Sequence, residues 1–237
     1  MINEELDLTL QYHDELNPKL WVDEDKLKPI VREHLLKIAK VWAKTAKIED
    51  DAIEDIIITG GNVNYNYTKQ SDIDIHLVVD MKKTIFTDEE QMRLFMLAKK
   101  DLWALQHDVK IYGLPVEVYA HSHQTKTPKS QGVYSIYSDK WTVKPKNLKL
   151  NFNNDVGLKH KIEEQMHRID SVINGRGTVN EASDLKDKLA SLRATSIQRA
   201  GEFAIENLVF KDLRNRGYID KLKNYIRSKV DRMLTLR

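Results

Sequence analysis

Cysteine is missing from all 237 residues of this chain. Disulfides, Cys-ligated zinc and iron–sulfur clusters are therefore excluded, and the absence fits a reducing compartment. Long hydrophobic runs are missing too. No stretch approaches the ~18 consecutive apolar residues of a membrane-spanning helix, so no membrane partner is expected. The N-terminal sequence MINEELDLTLQYHDEL is acidic and lacks a basic start followed by an apolar core. It predicts no secretory signal and hence a cytoplasmic protein. Internal repeats and low-complexity tracts are also absent. What remains is ordinary globular composition, 41% apolar and 31% charged, which excludes a disordered chain. The length suffices for one large or two small domains with real cores.

Charge is small in sum and uneven in distribution. The net is +2, yet residues 1–140 hold 18 Lys and Arg against 24 Asp and Glu, and residues 141–237 hold 20 against 12. An acidic part joined to a basic part predicts two modules, the second suited to an anionic partner such as RNA. Lys-rich surface helices without such a partner give the same imbalance.

Residues 1–24 mix polar and apolar positions around Pro18 and read as an N-terminal arm. Residues 25–47 place Leu27, Ile30, Val31, His34, Leu35, Ile38 and Trp42 at helical spacing, with Asp23 or Asp25 as N-cap. An apolar run over 55–59 stops at Gly60-Gly61, and the polar stretch NVNYNYTKQS follows. Residues 72–79, DIDIHLVV, form the clearest strand. Thr87 or Asp88 caps a helix reaching about His107, with Met92, Phe95, Met96, Leu102 and Leu105 as its apolar positions. Further β segments are expected at 109–112, 116–120, 133–137 and 140–144. Beyond Asn153 helices are expected near 155–173, 181–197, 198–215 and 218–235. The order predicts an α+β chain: a mixed-sheet domain with flanking helices over 25–150, then a helical domain over 151–237.

Asp72 and Asp74 stand two apart in the clearest strand, so both carboxylates point to one face while Ile73, Ile75, Leu77 and Val79 share the other. Two like charges this close repel unless a cation sits between them. A hard divalent ion with oxygen ligands, Mg²⁺ above all or Mn²⁺, suits that gap. Gly60 and Gly61, just upstream, can bring backbone N–H groups up to a phosphate. Phosphoryl transfer with two metals calls for a third carboxylate. Glu117, in PVEVYAH, projects from a β segment opposite Val116 and Val118 and is the candidate.

In chain order, IIITGG, SDIDIHLVV and VEVY resemble the nucleotidyltransferase superfamily, the DNA-polymerase-β-like fold with its minimal nucleotidyltransferase branch. That family carries an apolar strand ending in Gly-Gly or Gly-Ser, a short gap, an Asp-x-Asp and a later Asp or Glu. The resemblance spans roughly residues 30–145. It implies a transferase that moves an NMP from ATP or another NTP to a hydroxyl acceptor and releases pyrophosphate. It further implies metal binding by Asp72, Asp74 and Glu117, a phosphate loop bounded by Gly60 and Gly61, and a matching Ser71 before the Asp pair. There are departures: Gly61 stands where many members have Ser. GGNVNYN also lacks the basic–acidic pair that follows the glycines in tRNA-end-adding members, and no helix-hairpin-helix is evident. The segment RAGEFAIENLVFKDLRNRGYIDKL is similar to predicted nucleotidyltransferases of tailed phages, which makes a phage protein the expectation.

Other residues carry two readings each. Asn62, Asn64 and Asn66 contact phosphate or ribose, or make turns; Lys69 neutralises a triphosphate, or is a solvated lysine. His121 and His123 have metal-ligand spacing but suit a polar loop, and His76 shares the face of Asp74. Arg193, Arg199, Lys211, Arg214 and Arg216 recur at roughly helical intervals, interleaved with Glu202, Glu206, Phe203 and Phe210. They form either a salt-bridged helix surface or a basic wall, in which Arg193, Arg199, Lys211 and Arg214 contact triphosphate or acceptor. RNA is slightly favoured as acceptor over a small molecule, a protein side chain or a second nucleotide. Two rivals stand beside this reading. One is a catalytically silent protein binding a nucleotide or partner on the same fold; the other is a toxin–antitoxin-type enzyme that modifies a protein. Oligomeric state is not legible.

Overall fold

The computed structural model describes residues 6–23, 26–122 and 131–236. Asp25 and His123 lie outside the described residues. The chain divides into two compact units, Tyr12–Lys149 and a second made of Met1–Gln11 with Leu150–Arg237. The class is α+β, a mixed six-stranded sheet followed by helices, as the element order predicts.

The first unit holds helices α1 (Pro29–Ala46) and α2 (Glu89–Gln106). Its strands are β1 (Ile53–Thr59), β2 (Ile73–Val79), β3 (Lys110–Ile111), β4 (Leu114–Ser122), β5 (Val133–Ser135) and β6 (Lys140–Val143). The sheet order is β3-β4-β2-β1-β5-β6. β2 and β4 run parallel, which requires a crossover, and α2 supplies it; the other pairs are antiparallel. β1 has a partner on each side, and Ile56, Ile57 and Ile58 are all buried. β2 and β4 instead alternate. Ile73, Ile75, Leu77 and Val79 are buried with Val116, Val118 and Ala120, while the residues between them are only half-buried.

α1 begins four residues later than its apolar pattern suggests. Pro29 fixes the first helical turn and holds Lys28 extended, with ψ at 133°. Asp23 does not cap the helix; its Oδ1 accepts from the Lys26 N–H at 3.2 Å. Val31, Leu35, Ala39, Trp42 and Ala46 form the buried stripe. α2 is capped by Asp88, whose side chain accepts from the Gln91 N–H at 2.9 Å. Its core stripe is Met92, Met96 and Trp103, and the expected core residues Leu102 and Leu105 are exposed because they fall off that stripe. Leu16, Leu20 and Trp21 of the N-terminal segment join the same core.

The second unit packs α3 (Val156–Asn174), α4 (Val179–Ala200), α5 (Ile205–Asn215) and α6 (Tyr218–Leu234) around Leu158, Ile162, Leu185, Leu213 and Leu222. A capping box of Thr178 and Glu181 starts α4. Gly201, at φ 81°, ends it at Ala200 rather than near 197, and α5 begins at Ile205 rather than near 198. Asp212 of α5 is fully buried and accepts from Thr9 N at 2.7 Å, from Thr9 Oγ1 at 2.8 Å and from Arg216 Nε. Arg216 also donates to the Asp7 carbonyl. Residues 7–9 are thus fastened to the helical unit by charge-assisted hydrogen bonds. Among the described residues no helix is long and apolar enough to cross a membrane.

Candidate functional site

The parallel pairing of β2 with β4 sets Asp74 directly opposite Glu117. Asp72 precedes β2 on the same face. One carboxylate oxygen from each of Asp72, Asp74 and Glu117 lies within 4.8 Å of the others, and all three side chains are half-buried. Three carboxylates at this spacing repel one another, so the arrangement favours a bound cation. The donor set is all oxygen, which suits a hard divalent ion.

The glycine loop is built against this trio. Gly60 ends β1 at φ 83° and ψ −165°, a conformation open essentially only to glycine. A Cβ there would lie 2.0 Å from Asp74 Oδ2. Gly61 is less constrained, since its Cβ would stand 3.0 Å from Ser71 Oγ. Asn62, Asn64 and Asn66 read in sequence as a polar loop, yet all three are buried. The Asn62 amide donates to the carbonyls of Asp72 at 2.8 Å and Ser71 at 3.2 Å, and its Oδ1 accepts from Asn17 Nδ2 at 2.7 Å. Asn64 donates to the Gly60 carbonyl at 2.7 Å and accepts from Gly132 N at 3.0 Å. These amides replace water for the loop backbone and clamp Gly60 to the start of β2. Ser71 is buried, its Oγ accepting from Thr68 N at 2.9 Å, and Lys69 is exposed.

Lys100 of α2 is a site residue that pattern reading misses. Its ammonium is ion-paired with Glu117, with the two side chains 31% and 42% exposed. Burial alone would lower the Lys100 pKa. The hydrogen bond and charge of Glu117, with the charges of Asp74 and Asp72, outweigh burial and hold it above the usual lysine value. The only sequence signal is that Lys100 sits four positions after the buried Met96, and strand order is needed to see what it faces. Further along the same strands His76 lies opposite Tyr119, with the His121 ring 5.3 Å from that of His76. Burial, then the charges of His121 and Lys100, push the His76 pKa down to about 3, so its imidazole is neutral. His121 bonds the Ser122 carbonyl at 2.8 Å through Nδ1. A cleft of about 420 Å³ beside Arg93, Tyr119 and His121 has none of the three carboxylates in its lining.

The basic candidates belong to the helical unit and differ among themselves. Arg193 stacks over Phe210 at 4.8 Å and donates to Asn207 Oδ1 at 3.1 Å. Lys211 is ion-paired with Glu202, the two side chains 12% and 8% exposed. Arg214 Nε is buried with no hydrogen-bond partner among the described residues. Arg199 lines an open cleft of about 510 Å³ with Ser196, Phe203 and Glu206.

No protein-family model and no curated protein matches this chain. Among solved structures, a STING-associated CdnE c-di-GMP synthase from Capnocytophaga granulosa is similar at 10% identity, over 87% of this chain and 82% of that one, with a TM-score of 0.24. A likeness of that size decides neither fold nor chemistry.

Proposed function

We propose that this chain is a metal-dependent nucleotidyltransferase, moving an NMP from an NTP to a hydroxyl acceptor with release of pyrophosphate. The observation that carries this reading is the convergence of Asp72, Asp74 and Glu117 within 4.8 Å, beside a glycine where a Cβ would collide with the Asp74 carboxylate. The order of Gly-Gly, Asp-x-Asp and a later strand Glu supports it from the sequence.

A divalent ion held by the three carboxylates, Mg²⁺ or Mn²⁺, supplies charge neutralisation for a triphosphate and acidifies an acceptor hydroxyl. The backbone of Gly60 and Gly61 approaches the phosphates where side chains are absent. Asn62 and Ser71 keep that loop in shape, and Lys69, exposed beside it, meets phosphate charge. Glu117 takes the hydroxyl proton. The acceptor oxygen bonds to the α-phosphorus as the bond to the α–β bridging oxygen breaks, and pyrophosphate leaves. Positioning and charge stabilisation carry the rate. RNA is the acceptor class favoured by the basic residues of region 151–237, with Arg199 the most available of the four candidate contacts.

The test is label transfer. The protein is incubated with each α-labelled NTP, Mg²⁺ or Mn²⁺, and separate pools of RNA, protein and metabolites. The expected result is label on RNA that vanishes in Asp74→Asn. Label on protein would move the acceptor to a side chain. No transfer in any pool, with metal and nucleotide still bound, would replace the enzyme by a silent binder.

A further inference from the structure

Within the metal-binding reading above, Lys100 has a position that the reaction does not by itself explain. We propose that the Lys100 ammonium is a resident counter-ion of the carboxylate trio, and that a divalent cation gains Glu117 as a ligand only by displacing it. The ammonium is ion-paired with Glu117, and Glu117 stands in register opposite Asp74. Its single positive charge therefore pairs with one member of a trio whose oxygens lie within 4.8 Å of one another, and the charges of Asp74 and Asp72 act on it as well. One ammonium cannot neutralise all three.

This makes Glu117 the guarded member of the trio. A cation that takes it as a ligand must first break the ion pair and then tolerate the ammonium nearby. The lysine is tied to α2, whose Met92, Met96 and Trp103 are fixed in the core, so its head can swing while its stem stays in place. Cation occupancy of the full trio is thereby coupled to the rotamer of one side chain. An enzyme so built holds Glu117 in reserve until enough positive charge arrives to replace the lysine.

The experiment measures Mn²⁺ binding to the full chain without nucleotide, by the loss of the free-ion paramagnetic resonance signal. Wild type, Lys100→Met, Lys100→Arg and Asp74→Asn are compared, and circular dichroism melts confirm that each is folded. The proposal expects Lys100→Met to tighten Mn²⁺ about tenfold, Lys100→Arg to resemble wild type, and Asp74→Asn to weaken binding. Binding lost in Asp74→Asn but unchanged or weaker in Lys100→Met would overturn the displacement and leave the metal site standing. No Mn²⁺ binding by wild type or Lys100→Met would overturn both.

Discussion

Adding one methyl group at position 60 separates the needs of the backbone from those of the site. Gly60 sits at φ 83° and ψ −165°, where a residue with a Cβ is strained by about 1–3 kcal/mol. For a unit of this size that strain lowers the melting temperature by roughly 2–10 °C. The new Cβ would also fall 2.0 Å from Asp74 Oδ2. Ordinary carbon–oxygen contact needs over ~3 Å, so the carboxylate must retreat by about 1 Å or more. The Asp74 side chain can rotate, which keeps the stability cost near the backbone figure, but it leaves the trio when it does so. A displacement of about 1 Å in a reacting group is worth on the order of 100-fold in rate. Gly60→Ala is therefore expected to melt a few degrees lower, bind Mn²⁺ at least about tenfold more weakly and lose nearly all transfer. Gly61→Ala is the control. The tightest contact of its Cβ is with the Ser71 hydroxyl, at 3.0 Å, and a few tenths of an ångström of movement relieve it. Calorimetry and Mn²⁺ titration of both variants decide the matter. A Gly60→Ala protein with wild-type melting and wild-type Mn²⁺ affinity would refute both the strain and the claim that Asp74 is held in place for a cation.

Asp72→Asn removes one of three repelling charges, so it should leave thermal stability unchanged or slightly raised while abolishing Mn²⁺ binding. Asp212→Ala strips a fully buried acceptor from Thr9 and Arg216, and should destabilise the chain by about 3 kcal/mol in urea unfolding and expose residues 7–9 to protease. Lys211→Met takes the ammonium away from the buried Glu202 carboxylate at a cost of about 3–5 kcal/mol, most of which the double variant Lys211→Met/Glu202→Leu should recover. Asp170 has its pKa held below the usual carboxylate value, first by the hydrogen bond from Lys221 and, against the effect of burial, by that from Tyr218. Its contribution is therefore present above the unfolded pKa and disappears as pH falls through the folded one. Asp170→Asn should cost under about 1 kcal/mol at pH 7, with the difference from wild type closing in acid, below the ordinary aspartate pKa of about 4.

Period-two alternation makes the carboxylates legible in the sequence. DIDIHLVV and PVEVYAHS each place acids on one parity and apolar or small residues on the other, and burial follows that parity residue by residue. The loop after β1 is harder to read because its asparagines look solvated. Asn62 and Asn64 are instead internal, since their amides bond the backbone of Ser71, Asp72, Gly60 and Gly132, which are distant in sequence or invisible to a local window. Lys100 is illegible for a different reason. A helical wheel shows which residues share a stripe, but not which strand edge a flanking lysine reaches. Element boundaries depart from the apolar pattern where backbone restrictions override it, at Pro29 and Gly201.

The core and the site are written in the same alternation, and this bears on how the carboxylate spacing is kept. The three carboxylates repel one another, and the Lys100 ion pair ties Glu117 to α2 rather than to β2, so strand pairing and packing must hold Asp74 opposite Glu117. Slipping β4 by one residue against β2 would turn Glu117 into the core and bring Val116, Val118 and Ala120 out of it. A carboxylate forced into an apolar core and three lost apolar contacts make that register strongly unfavourable. The apolar parity of the two strands is thus what enforces the distance between acids on the opposite face. The site can then tolerate mutual repulsion, and a cation that replaces the Lys100 ammonium beside Glu117 can use that electrostatic energy for binding.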